Sequence, residues 1–282
     1  MFSTENQWVI HKDVRIRMMG WPQWVLGLGL GIVAGGVGYL IHALTPAGAL
    51  AAVVVGTLTM GGGGIAPAVL LLLFFFSSSA LSRASNESKR RAQVYFSKND
   101  RRDPGQVLAN GGLAAVLAVL YGLRGEDIWF VGLAGALAAV TADTWATELG
   151  VLASGRPRLI TTGESVEAGT SGGITLTGTA AAAAGAALIA LAGTSQGGQR
   201  LAISVAIGGL GGALFDSLLG ATIQAIYHCP ACDRQTERHP FHSCGTETVL
   251  VRGWPWLEND AVNFLASVAG ALIAIGGWRL LG

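Results

Sequence analysis

Asp127–Gly150 reads DIWFVGLAGALAAVTADTWATELG. Its first half is small and apolar, as a buried membrane helix requires, and its last turns carry two carboxylates. If the helix runs through, Asp143 and Thr147 lie one turn apart, as do Thr144 and Glu148. The two rows are about 100° apart and make one broad polar face. Ala142, Ala146 and Gly150 form a small-residue row at the same spacing, which lets another helix come close. An acid at the end of a membrane helix is a candidate functional group, because charges are rare in such segments. A solvated helix end is the alternative reading.

The composition points the same way. Of 282 residues, 51% are hydrophobic and only 12% charged, and 42 are glycine, whereas a soluble domain has about 25% charged residues. Mean hydropathy is +0.51. The expected fold class is all-α: a polytopic membrane protein whose glycine and alanine let helices pack tightly. A net charge of +1 gives no reason to expect nucleic acid. The first apolar run begins near Val25, after Trp21, Pro22 and Trp24, with no signal-peptide cleavage pattern. The three cysteines cluster between Cys229 and Cys244, which suggests metal rather than a disulfide framework.

Apolar runs fall at about 24–44, 47–62, 65–82, 106–123, 127–150, 173–193, 200–226 and 260–281, so about eight transmembrane helices are expected. Residues 1–20 are polar and basic, with His11, Lys12, Arg15 and Arg17, and suit either a headgroup helix or a disordered tail. Residues 21–282 are expected to form one transmembrane catalytic domain. The loop 83–105 holds Arg83, Lys89, Arg90, Arg91, Lys98, Arg101 and Arg102. Such a basic loop is cytoplasmic by the positive-inside rule. That topology signal explains most of the charges, and contact of some with phosphate is the functional reading. Counting crossings from there returns 151–172 and the Cys/His loop 227–258 to the same cytoplasmic face. The N-terminus would then lie outside, against the sign of its own charges.

Three acidic motifs meet at that face. They are Asp143-Thr144 with Glu148, Asp216-Ser217 in GGALFDSLLGA, and Asn259-Asp260 with Asn263 in LENDAVNFLAS. Carboxylates and carboxamide oxygens are what Mg²⁺ takes, usually beside substrate phosphates. In EAGTSGGITLTG, Thr170 and Ser171 are good helix caps, and Gly172-Gly173 would open a helix whose N-terminus favours an anion. An ordinary capped helix start is the plain alternative. Upstream, Arg158, Thr161 and Thr162 add a cation and two hydroxyls, and no P-loop pattern occurs. Gln106 and Asn110, one turn apart in an apolar run, serve either a helix–helix hydrogen bond or a ligand. CPACDRQTERHPFHSC offers Cys229, Cys232, His242 and Cys244 as a structural Zn²⁺ site, with His239 a second candidate for the fourth ligand. A redox CxxC and unligated cysteines are the alternatives.

QVLANGG, ADTWATELG, GTSGGITLTG, FDSLLGA, the CxxC…HxCG loop and ENDAVNFLAS follow one another in an order that resembles the transmembrane protein 19-like family over about residues 47–282. That family includes the plant phytyl-phosphate kinases. More distantly the chain is similar to CTP-dependent polyprenol kinases and phosphatidate cytidylyltransferases, although its glycine-rich loop lacks the lysine frequent in those enzymes. The resemblance implies a membrane phosphotransferase. It would pass a phosphoryl group from a nucleoside triphosphate, CTP being one candidate, to an isoprenoid monophosphate such as a phytyl phosphate.

On that reading Asp143, Asp216 and Asp260 hold Mg²⁺. Asn110, Thr144, Glu148, Thr162, Thr170, Ser171, Gly172, Gly173, Ser217, Asn259 and Asn263 bind substrate or phosphate. Two alternatives stand beside it. A cytidylyltransferase would use the same metal site and release pyrophosphate. A transporter would line a path with polar groups near mid-membrane, whereas these acids fall at helix ends. The sequence leaves the oligomeric state open.

Overall fold

The computed structural model describes residues 20–83, 101–153 and 155–282. The basic N-terminal residues and Lys89, Arg90, Arg91 and Lys98 lie outside the described residues. Helix α1 spans Trp21–Leu40, α2 Pro46–Gly63, α3 Ile65–Arg83, α4 Pro104–Arg124, α5 Asp127–Gly150, α6 Leu176–Thr222 and α7 Asn259–Leu280.

Local chemistry sets several of these ends. Proline stands in the first turn of α1, α2 and α4, where its missing N–H costs nothing. Asp103 closes a capping box: its Oδ1 accepts from Gln106 N at 2.9 Å, and Gln106 Oε1 accepts from Asp103 N at 3.3 Å. At the other end of α4, Gly125 takes the left-handed conformation with φ +66°.

Among the described residues, seven helices are long and apolar enough to cross a membrane. The eight expected apolar runs are carried by seven helices, because the expected sixth and seventh runs are the two arms of one 47-residue helix, α6. A straight helix of that length would be roughly 70 Å long, more than twice the ~30 Å hydrocarbon core. It folds back instead at Gly197 and Gly198, whose φ/ψ values are non-helical. The two arms then lie side by side: a Cβ added at Gly209 would meet Ala186 Cβ at 2.7 Å.

Helix α5 is the axis of the bundle. Thirteen consecutive residues, Phe130–Ala142, are buried, enclosed by α4, α6 and α7. Small residues make the close approach possible. A Cβ at Gly135 would sit 2.5 Å from Ala274 Cβ and 2.6 Å from Gly270 O of α7. The expected Ala142/Ala146/Gly150 row does meet a helix. Gly178 of α6 lies against Ala146 O and Gly150 Cα, and Gly185 against Ala142 Cα.

The all-α expectation also needs a small addition at the polar end. Arg158–Leu159 (β1) pairs antiparallel with Gly173–Ile174 (β2). Ile226–Cys229 (β3), Arg234–Thr236 (β4) and Val249–Arg252 (β5) form a three-stranded sheet in the order β4-β3-β5.

Gly135→Leu should lower stability by about 1–3 kcal/mol, the usual cost of overpacking. Gly29→Leu, at a position where a Cβ meets nothing within 4 Å, should leave the thermal melt in detergent unchanged. Equal melts for the two variants would remove the close approach as a structural requirement.

Candidate functional site

Helix packing brings two of the three predicted metal-binding acids to the same cavity. Gly212 in the second arm of α6 is pressed against Ala139 of α5, where an added Cβ would stand 2.4 Å from Ala139 Cβ. One turn further along each helix come Asp216 and Asp143. Both line a cavity of about 320 Å³. The same walls carry Thr144, Thr147 and Glu148 from α5, Ser217 from α6, Asn259 and Asn263 from α7, and Asn110 from α4. Each Asp143–Thr147 or Asn259–Asn263 pair is one helical turn apart, so both members face the cavity together.

The glycine-rich loop closes one side. Thr170, Ser171, Gly172 and Gly173 all line the cavity. The loop is a turn, however, and not the helix start expected. Gly172 has φ +81°, and a Cβ there would lie 2.4 Å from Ala221 N. Only glycine fits both the left-handed backbone and the contact. Gly173 then enters strand β2, and α6 begins at Leu176, where Thr175 Oγ1 accepts from Gly178 N at 2.9 Å. Thr175 is the cap in place of Thr170 and Ser171.

Two predicted residues are placed elsewhere. Thr162 is exposed in the β1–β2 connection, where its Oγ1 accepts from Glu164 N at 3.3 Å. Asp260 is half-buried in the first turn of α7 and is not among the cavity-lining residues. Its Oδ1 is nonetheless buried. In the first turn its charge favours the helix dipole.

Glu237, Gln224 and Ser82 are lining residues that the sequence did not single out. Glu237, just beyond β4, reaches the cavity from the Cys/His loop. It accepts from Ser171 Oγ at 2.6 Å and from Gln224 Nε2 at 2.9 Å. Its charge acts on both Asp143 and Asp216, so three carboxylates share one electrostatic neighbourhood. Asp216 Oδ2 is buried and has no hydrogen-bond partner. Ser82 Oγ donates to Glu148 Oε1 at 2.6 Å, and Arg102, Gln106 and Gln224 complete the polar wall.

The Cys/His loop forms a second centre. Cys229 Sγ, Cys232 Sγ, Cys244 Sγ and a His242 ring nitrogen all lie within 4.8 Å of one another. Cys229 and Cys244 sulfurs are 3.5 Å apart, and His242 Nδ1 is 3.5 Å from Cys232 Sγ and 3.2 Å from Cys244 Sγ. A tetrahedral ion with bonds of about 2.0–2.3 Å needs donor separations of roughly 3.5–3.8 Å. The donor set therefore fits a metal ion. His239, the alternative ligand, instead stacks on Tyr227 with ring centroids 4.5 Å apart. Hydrogen bonds with Thr246 and His242 hold the Cys244 thiol down at about 5. The hydrogen bond with Cys244 lifts Cys232 to about 11, and a bound cation would favour its thiolate form.

This module is clamped to α6. Arg252 Nη1 and Nη2 donate to Ala221 O at 2.9 Å and Gly220 O at 2.7 Å, satisfying carbonyls at the helix end. Backbone bonds from Trp254 N to Ile223 O and from Ala225 N to Leu257 O tie its two ends together.

Residues 29–271 match the family described as Integral membrane protein DUF92. The chain belongs to this family. Protein PGR of Arabidopsis thaliana is 33% identical over 213 residues, 66% of this chain and 72% of that protein. An uncharacterized membrane protein of Methanocaldococcus jannaschii, MJ0933, is 36% identical over 170 residues, 60% of this chain and 59% of its own length. A cyanobacterial membrane protein of Synechocystis, sll0875, is 28% identical over 240 residues, 83% of this chain and 82% of its own. No solved structure matches the chain.

Metal analysis of purified protein should find about one thiophilic ion per chain, as a four-ligand Cys/His site binds. Cys229→Ser should lose the ion and melt at lower temperature. Metal-free wild type with an unchanged melt would remove the site.

Proposed function

We propose that the chain is a membrane phosphotransferase. It moves the terminal phosphoryl group of a nucleoside triphosphate onto an isoprenoid monophosphate, and its polar loops face the cytoplasm. The observation that carries this reading is the acid cluster of Asp143, Asp216 and Glu237 around one membrane-end cavity, with Asp216 Oδ2 buried and unpartnered. A buried carboxylate oxygen in that state is costly. A hard cation relieves the cost, and the donor set of two Asp with Asn259 and Asn263 nearby fits Mg²⁺. When bound, Mg²⁺ neutralises charge on the transferring phosphates.

Asp143 and Asp216 would hold the ion. The Thr170–Gly173 turn offers a hydroxyl pair and close backbone approach to donor phosphate oxygens. Glu237 fixes Ser171 of that turn through its 2.6 Å hydrogen bond. In the reaction an acceptor phosphate oxygen forms a bond to the terminal phosphorus, and the bond from that phosphorus to the bridging oxygen breaks. The products are the lipid diphosphate and a nucleoside diphosphate. The acceptor is already an anionic nucleophile, so no strong base is needed. The Cys₃His group is read as structural zinc, which keeps the sheet module and Glu237 in place.

Asp216→Asn and Asp143→Asn should each lower turnover by roughly two orders of magnitude, because metal-borne charge stabilisation is worth several kcal/mol and about 1.4 kcal/mol is tenfold. Both should raise the Mg²⁺ requirement and keep the fold, since removing one of several mutually repelling carboxylates relieves strain. The assay supplies purified protein with prenyl monophosphates and each labelled nucleoside triphosphate, with thermal melts alongside. Near-wild-type turnover in both variants would sink the mechanism. Pyrophosphate release would replace it with cytidylyl transfer.

A further inference from the structure

Arg102 is the one cation among the described residues that line the cavity, against four acids: Asp143, Glu148, Asp216 and Glu237. It is built into place. Its backbone N donates to Ala43 O at 2.9 Å and its carbonyl accepts from Thr45 N at 3.0 Å. Its Nη1 donates to Ser79 Oγ at 2.8 Å, and its guanidinium lies 5.8 Å from the Phe74 ring centroid. Gly48 packs so tightly on it that an added Cβ would stand 2.3 Å from Arg102 O. Burial lowers the guanidinium pKa to about 10, with Glu148 opposing the shift and Arg83 adding to it. Arg102 therefore stays charged at neutral pH, and Glu148 only partly offsets the cost of burying it.

A buried charge that its neighbours under-compensate is poised for an anion. Gln106 and Asn110 follow it at successive helical turns of α4 and line the same cavity. Gln106 Oε1 is engaged by Asp103 N, so what its amide has left to give is the N–H₂ group. The chain approaching from this side is α3, an apolar helix long enough to cross a membrane. Its Phe74 underlies Arg102 and its Ser82 lines the cavity.

Resting on the phosphotransferase reading, we propose that Arg102, Gln106 and Asn110 form the subsite for the acceptor's monoester phosphate, separate from the acids and glycine turn that handle the donor. Charge supports the division. The donor's phosphates meet the metal, whereas an acceptor dianion entering beside four carboxylates has no counterion of its own. A fixed guanidinium supplies one, and its fork suits a phosphate. Beside Arg102, α3 offers Phe74 and a long apolar run against which a prenyl tail would pack.

The test measures binding of geranylgeranyl monophosphate, and of geranylgeraniol as the same tail without phosphate, to full-length protein in detergent without nucleotide. Wild type should prefer the monophosphate. Arg102→Gln should weaken monophosphate binding by roughly 10- to 100-fold, the worth of a charge-assisted hydrogen bond, and leave the alcohol unchanged. In turnover it should raise KM for the lipid phosphate and not for the nucleotide. Arg102→Lys should recover part of the affinity. Unchanged monophosphate affinity in a folded Arg102→Gln protein overturns the subsite, and equal losses for monophosphate and alcohol make Arg102 structural.

If Arg102→Gln does not fold, Gln106→Glu carries the test. It keeps the cap acceptor but places a carboxylate where the phosphate would sit, so it must repel the monophosphate and spare the alcohol. Equal monophosphate binding in that variant likewise overturns the subsite. Wild type that shows neither binding nor turnover of the monophosphate refutes the phosphotransferase reading itself. Wild-type turnover with an indifferent Arg102→Gln refutes the subsite alone.

Discussion

Everything at the polar end depends on how closely α5 approaches α6 and α7. In lipid, helices gain little from burying apolar surface against one another, so association rests on van der Waals contact and needs small residues at the crossing. Gly135 against Gly270 and Ala274, and Gly212 against Ala139, supply that contact. The second arm of α6 runs in the same direction as α5. The Gly212–Ala139 contact is thus continued one turn later by Asp216 and Asp143. A bulkier residue in the apolar layer would push the two acids apart without touching either.

The Cys/His module depends on that packing in turn. It has almost no core of its own: Tyr227, Cys229, Thr236, His242, Thr248 and Leu257 are the buried residues of its 32-residue stretch, 227–258. So small an apolar set needs a staple. It has two, the Cys₃His group and the Arg252 clamp on the last carbonyls of α6. Because the clamp is anchored where α6 ends, the strand pair carries Glu237 back over the Gly172 turn. The position of one carboxylate is thereby linked to a metal-binding group and to a helix terminus at once.

The parts of this arrangement legible in the sequence were those with a local signature. Helical spacing predicted the polar face of Thr144, Thr147 and Glu148 and the small-residue row that meets α6. CxxC and HxC spacing predicted the metal-binding set. What failed were choices between near neighbours. Thr170 and Thr175 are both acceptable caps, and the contact of Gly172 with Ala221 decides for Thr175. Asn259, Asp260 and Asn263 look equivalent in a string, and only the rotation of α7 brings the two amides to the cavity wall. Glu237 sits in RQTERH, which reads as a solvated charge run. Its role exists only once the sheet folds over the loop. The Gly197-Gly198 break was visible as a boundary between apolar runs. Whether it parts two helices or bends one depends on backbone geometry that composition does not encode.

The electrostatics of the cavity oppose the logic of the rest of the fold. The buried stretch Phe130–Ala142 has nothing to ionise, and beyond it four carboxylates and one guanidinium share about 320 Å³ at a helix end. Their formal sum is −3, four negative charges and one positive, a balance that the divalent cation of the proposed function would offset. A cluster of this kind is a stability cost, and folds keep such costs where they serve function. Its depth matters as much as its sign. Placed near mid-membrane, the acids would mark an ion path. Here they stand one turn beyond the apolar layer, at the end where α4, α5, both arms of α6 and α7 open onto polar loops, which is the placement the proposed transfer between a soluble and a lipid-borne phosphate requires. That geometry favours chemistry between two phosphates over passage of one solute.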